Sequence, residues 1–144
     1  MKTVNTIIYQ CEKLIRDIIN NFPISDKKPF LESVIKYLKF SKPKDWTTLC
    51  SLLDILGDTE LAKENFEKYG IAGPTKYNDT GEKYLRLYGI LNTIYLQKTA
   101  IIEFLELVKH KDKTKFEKEI DGLKLLELRH IVGAHTINYI ENGI

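Results

Sequence analysis

The chain is poor in the residues that mark special architectures. Its two cysteines, Cys11 and Cys50, are too few for a disulfide framework. Both fall at apolar positions of helical patterns and read as buried reduced thiols rather than as a bonded pair. Four prolines and eight glycines in 144 residues exclude collagen-like and low-complexity chains. No apolar run approaches the roughly 20 residues needed to cross a bilayer, so no membrane association is expected. The first ten residues mix Asn5, Thr6 and Gln10 with apolar side chains, which argues against a secretory signal and for a cytoplasmic chain. Also missing are a glycine-rich phosphate loop, a Cys-x-x-Cys pair, a His-Glu-x-x-His helix and a calcium-binding loop. Neither a cofactor nor a metal is therefore expected. Charge of neither sign dominates, since the formal net charge is +2. That weak basic lean permits a polyanionic partner without demanding one.

What is present describes an ordinary globular protein, with 43% apolar and 29% charged residues. The length suits one domain with a core large enough to need no staples. Residues 1–144 are accordingly assigned to a single domain, whole or part of a longer chain.

Helical periodicity runs through nearly all of it. Val4, Ile7, Ile8, Cys11, Leu14, Ile15, Ile18 and Ile19 recur at three-and-four spacing and predict a first helix ending before Phe22 and Pro23. Pro29 opens a second, carrying Phe30, Leu31, Val34, Ile35 and Leu38, and Pro43 closes the next loop. Trp46, Leu49, Cys50, Leu52, Leu53 and Leu56 predict a third that stops at Gly57. A fourth piece around Leu61 and Phe66 ends at Gly70. Residues 71–81, with Gly73, Pro74, Asn78, Asp79 and Gly81, form the clearest loop. Asp79 and Glu82 then open the longest helix, whose seam of Tyr84, Leu87, Tyr88, Leu91, Ile94, Tyr95, Ile101, Ile102, Leu105 and Val108 makes it the spine. A polar, lysine-rich connection over 109–115 leads to a last helix opened by Thr114 and Glu117. No strand-like alternation appears. The expectation is an all-α, up-and-down bundle of five to six helices.

The last helix is apolar on two sides. At about 100° per residue, Phe116, Ile120, Leu123, Ile131 and Ala134 gather on one, and Leu125, Leu128 and Val132 on the other. Such a helix is sandwiched, either within the chain or against its own copy across a two-fold axis. The reading favours a homodimer.

Residues 128–135 read Leu-Arg-His-Ile-Val-Gly-Ala-His and hold two of the three histidines and one of the three arginines. Arg129, five intervening residues and His135 match the arginine-x4-6-histidine motif of HEPN domains, with the motif on the last helix of a bundle as in that family. Tyr84, Leu85, Arg86, Leu87, Tyr88 and Gly89 also look like the same region of HEPN-type bacterial proteins. The resemblance covers most of 79–139. It implies a dimer whose two motifs share one cleft, and for the active members a metal-independent endoribonuclease of a bacterial toxin or defence system, with an RNA substrate and an antitoxin or other protein partner.

Histidine and arginine suit that chemistry, which needs a proton acceptor, a proton donor and fixed positive charge for the phosphorane. His135 takes the acid or base role, Arg129 stabilises charge, and His130 is the second imidazole or a substrate contact. On a regular helix Arg129 and His135 point about 120° apart. They converge only if the helix loosens after Val132, as Gly133 allows, or if each faces a second subunit. Two positions depart from the family. His130 stands where active members often have asparagine. Ile137, with the nearest tyrosine at Tyr139, stands where members paired with a nucleotidyltransferase antitoxin have tyrosine, which argues against that pairing.

Other readings fit the same residues. Arg129 suits a helix C-terminus through the dipole alone, and His130 is placed to be a core histidine bonded to Glu127. Lys36, Lys39, Lys42, Lys44 and the lysines of 109–118 read as solvated surface rather than an RNA track. Tyr84, Tyr88 and Tyr95 follow helical spacing and read as core, with an exposed ring that could stack on a base as the alternative. A non-catalytic HEPN-like module that binds a protein or a nucleotide is the rival from another class, and a plain helical scaffold is the third.

Overall fold

A computed structural model describes residues 4–22, 29–76 and 78–134, and all of their regular structure is helical. The elements are α1 (Val4–Asn20), α2 (Phe30–Tyr37), α3 (Pro43–Tyr69), α4 (Thr80–Leu107), α5 (Lys113–Asp121) and α6 (Lys124–Ala134). Two long helices, α3 with 27 residues and α4 with 28, pack along each other. At 1.5 Å per residue each runs about 40 Å. α1 and α2 lie on α3, while α5 and α6 lie on α4. The bundle thus has two spines where the sequence suggests one.

The difference arises at Gly57. Glycine costs a helix interior roughly 1 kcal/mol, yet α3 continues through it. The nearest atom to where a Gly57 Cβ would stand is the Glu12 carboxylate of α1 at 4.0 Å, an ordinary contact distance, so the helix continues because packing of its buried neighbours Leu53, Leu56, Thr59 and Glu60 outweighs that cost. Glu12 accepts a hydrogen bond from Arg16, which also donates to Asp54 of α3 at 2.8 Å. Those carboxylates raise the Arg16 pKa further. Pro43, expected to close a loop, instead occupies the first turn of α3, where a missing N–H costs nothing. Asp45 stabilises that end by accepting from the amides of Ser41 and Lys42, both at 3.0 Å.

The core lies between α1, α3 and α4. Ile19, Leu49 and Leu53 form one buried cluster, with Ile15, Trp46, Phe104 and Leu107 against it. Leu52, Leu56 and Ala100 form the next. Beyond them a buried polar group sets the α3–α4 register. Gln97 donates to Thr59 and Glu60, and Lys63 reaches both Glu60, at 2.5 Å, and Gln97, at 3.0 Å. Buried polar groups with specific partners disfavour alternative registers.

Among the described residues the predicted α1 stripe is only partly covered. Ile19 is buried and Ile8 and Ile15 partly so, but Ile7, Leu14 and Ile18 are about half exposed. Eight apolar residues make a face wider than its neighbour, α3, can cover. Cys11 lies on the uncovered side and is exposed, which corrects its reading as a buried thiol; Cys50 is half-buried, and both are free. Burial pushes the Cys50 thiol pKa up, which keeps it protonated.

α2 and α4 end in the same way. The amides of Lys39 and Phe40 bond the carbonyls of Lys36 and Ile35 at 3.3 and 3.0 Å; those of Lys109 and His110 bond Glu106 and Leu105 at 2.9 and 2.8 Å. Each is a Schellman closure whose left-handed residue is lysine, with φ 54° and 53°, where glycine is usual. Left-handed backbone costs an L-residue roughly 1–2 kcal/mol, and glycine forfeits about 0.5–1 kcal/mol of chain entropy. Lys39→Gly and Lys109→Gly should therefore each stabilise the fold by about 0.5–1 kcal/mol, read as a rise of roughly 1–4 °C in Tm. A fall in Tm would show that the lysine side chains contribute more than their backbone strain costs.

Candidate functional site

The site is built where α4, α5 and α6 meet. The Asp79 side chain caps α4 by accepting from the Glu82 amide at 2.7 Å. Arg86, within the stretch that resembles HEPN proteins, is committed to the fold: its Nε donates to the Gly70 carbonyl at 3.0 Å and its plane lies over Phe66. Gly73, at φ 70°, is buried beneath it, and a Cβ there would come 3.1 Å from Glu82.

The predicted last helix is two. Gly122 and Leu123 interrupt it, and α5 starts at Lys113, so Thr114 lies inside a helix capped at Asp112 rather than opening a capping box. The break changes the phase of the pattern that continues across it. Leu126 becomes the buried residue of α6 on α4. Phe116, Leu123 and Ile131, expected inward, are 38%, 52% and 45% exposed. On the other predicted side Leu125 and Leu128 are 51% and 40% exposed, and Val132 is partly covered. Within the described chain that side is only partly covered.

Arg129 follows Leu126 by three residues and is turned toward α4 in the same way. Its guanidinium carbon stands 4.1 Å from the centre of the Tyr95 ring, well inside cation–π range. Arg129 is half-buried, and among the described residues no carboxylate pairs with it. Lys98, one turn along α4 from Tyr95, puts its ammonium 5.8 Å from the same ring and is paired with Asp121 at the end of α5. Two cations thus share one aromatic ring.

His130 is exposed, with no hydrogen bond to Glu127 among the described residues, so the core-histidine reading is corrected. His135 lies outside the described residues, as do Ile137 and Tyr139. α6 remains helical through Gly133 to Ala134, so the loosening expected after Val132 is not found within the described helix.

Tyr84 is 54% exposed and Tyr88 and Tyr95 are partly exposed, against the expectation that all three are core. Lys98 is the residue that the sequence does not single out, and Tyr95 is named there without any link to Arg129. The aromatic-x-x-lysine spacing on α4 is visible in the sequence, but nothing there shows that α6 would bring an arginine to it. Among the described residues no group of three or more His, Cys, Asp or Glu side chains is placed to hold a metal ion, and no helix is long and apolar enough to cross a membrane. Comparison with family models, with curated proteins and with solved structures gives no match.

Proposed function

We propose that this chain is a HEPN-like, metal-independent endoribonuclease that acts as a homodimer on single-stranded RNA, in a toxin or defence role. The observation that carries the reading is Arg129: a cation held in place by an aromatic face and left without a described anionic partner is preorganised for a phosphate. The exposed Leu125 and Leu128 on the same helix support a second subunit beside it. Two free cysteines suit a reducing, cytoplasmic setting.

In this reading an imidazole takes the proton of the RNA 2′-hydroxyl, and the oxygen attacks the adjacent phosphorus. The bond to the 5′-oxygen breaks, and a second imidazole protonates that oxygen. His135 fills one of these roles. His130, from the same or the partner chain, fills the other or contacts substrate. Arg129 stabilises the charge that builds on the phosphorane oxygens. The test is cleavage of a single-stranded RNA in excess chelator. The expected products end in a 2′,3′-cyclic phosphate and a 5′-hydroxyl. Cleavage abolished by chelator, or a 3′-hydroxyl product, contradicts the mechanism; RNA or protein binding without any cleavage favours the non-catalytic module.

A further inference from the structure

We infer that Lys98 is a second RNA-phosphate contact of this site, gathered beside Arg129 by Tyr95, and that Asp121 occupies it in the RNA-free protein. The inference rests on the reading of Arg129 as a phosphate-binding group and extends it to a polyanion held at two points. The geometry supplies three reasons. Arg129 and Lys98 lie 4.1 and 5.8 Å from one ring centre, so their charges are at most 9.9 Å apart. They come from different helices, and Tyr95, on the same helix as Lys98, is the aromatic face common to both. A single-stranded nucleic acid presents one negative charge per nucleotide, and a groove that tracks it needs successive cations rather than one.

Position separates Lys98 from the other paired cations, none of which lies on the Tyr95 ring among the described residues. Lys63 is bound into the buried Glu60 and Gln97 group. Arg86 is tied to Gly70 and Asn65, and Arg16 to Glu12 and Asp54. Lys98 has an exposed partner, the Asp121 side chain at the last residue of α5, as do Arg16, Lys113 and Lys115, but among these Lys98 alone shares an aromatic ring with Arg129. An exposed carboxylate held by one lysine contributes little to stability and is readily exchanged for another anion. Asp121 is therefore a stand-in that RNA displaces, and it lowers affinity by competing for Lys98. Tyr95 is a positioning residue. It touches both cations and needs no contact with RNA.

The experiment measures binding of a fluorescent 2′-O-methyl oligouridine, which lacks the reactive hydroxyl, across a range of salt concentrations. Each phosphate neutralised on a single strand contributes about 0.7 to the slope of log affinity against log salt. Lys98→Gln and Arg129→Gln should each lower the slope by about 0.7, and Lys98→Arg should preserve it. Tyr95→Phe should keep the wild-type slope, whereas Tyr95→Leu should lower it although both cations remain. Asp121→Asn should tighten binding several-fold. Circular dichroism melts confirm that the variants are folded. A slope unchanged in Lys98→Gln, or weaker binding by Asp121→Asn, overturns the inference. If Arg129→Gln lowers the slope and Lys98→Gln does not, the inference alone fails. If neither does, the phosphate reading of Arg129 fails with it. Wild-type protein that does not bind the probe at low salt also overturns the inference, while the chelator assay judges the cleavage reading separately.

Discussion

Replacing Arg129 by alanine should lower RNA cleavage about 10²- to 10³-fold, the usual loss when a preorganised charge stabiliser is removed. His135→Ala should lower it about 10²- to 10⁴-fold, as for a proton carrier. The Arg129 variant loses its contact with Tyr95, which at a half-exposed site is worth about 0.5–1 kcal/mol. Its Tm should therefore fall by no more than a few degrees, because Leu126, not Arg129, anchors α6. Activity measured on protein shown by circular dichroism to be folded separates the two effects. If cleavage falls only in step with the folded fraction, Arg129 is a packing residue and the functional assignment of the motif is wrong.

The largest effect on stability should come from Leu53→Ala. Leu53 is 1% exposed in the centre of α3, and its cluster joins α1 through Ile19 and meets Phe104 and Leu107 of α4. Truncation at such a site removes buried apolar area and leaves a cavity that long, mutually packed helices cannot easily close, at about 2–5 kcal/mol. That is a large share of the roughly 5–15 kcal/mol that holds a domain together. The Tm should drop by about 10 °C or more. Leu85→Ala, at a residue 72% exposed on α4, is the control and should change stability by no more than about 0.5 kcal/mol. Equal effects at the two positions would place the core elsewhere.

Helices were legible in the sequence wherever apolar spacing was regular and a local device marked the end. Asp79 caps α4 as its spacing with Glu82 suggests, and Gly70 ends α3 at φ 62°. What misled was the weight given to glycine. At Gly57 the pattern was cut where the helix continues, because packing of the buried neighbours Leu53, Leu56, Thr59 and Glu60 outweighs the local cost of glycine. At Gly122 it was continued where the helix stops, because the apolar spacing happens to carry across the break. The wrong phase then turned Phe116, Leu123 and Ile131 inward and left Leu126 unnoticed.

Periodicity also says which residues share a face, not how much of that face a neighbour covers. Ile7, Cys11 and Leu14 fit the α1 stripe and still lie outside the core. The same limit applies at the site. Arg129 and His130 were singled out by residue type and motif, but the contact between Arg129 and Tyr95 spans α4 and α6 and depends on a register that no local signal encodes. Leu125 and Leu128, whose side could be met within the chain or by a second copy, keep 51% and 40% of their surface exposed.

If two copies of α6 make one catalytic site, as proposed, cleavage rate per chain should depend on dimer fraction, measured in chelator across a micromolar protein series followed by light scattering. The rate should rise with the dimer fraction, and a Leu128→Glu variant should lose dimer and rate together while still folding. A protein that stays monomeric throughout and cuts RNA at a constant rate per chain would contradict the composite site, and one that dimerises fully yet leaves RNA intact would contradict the enzyme.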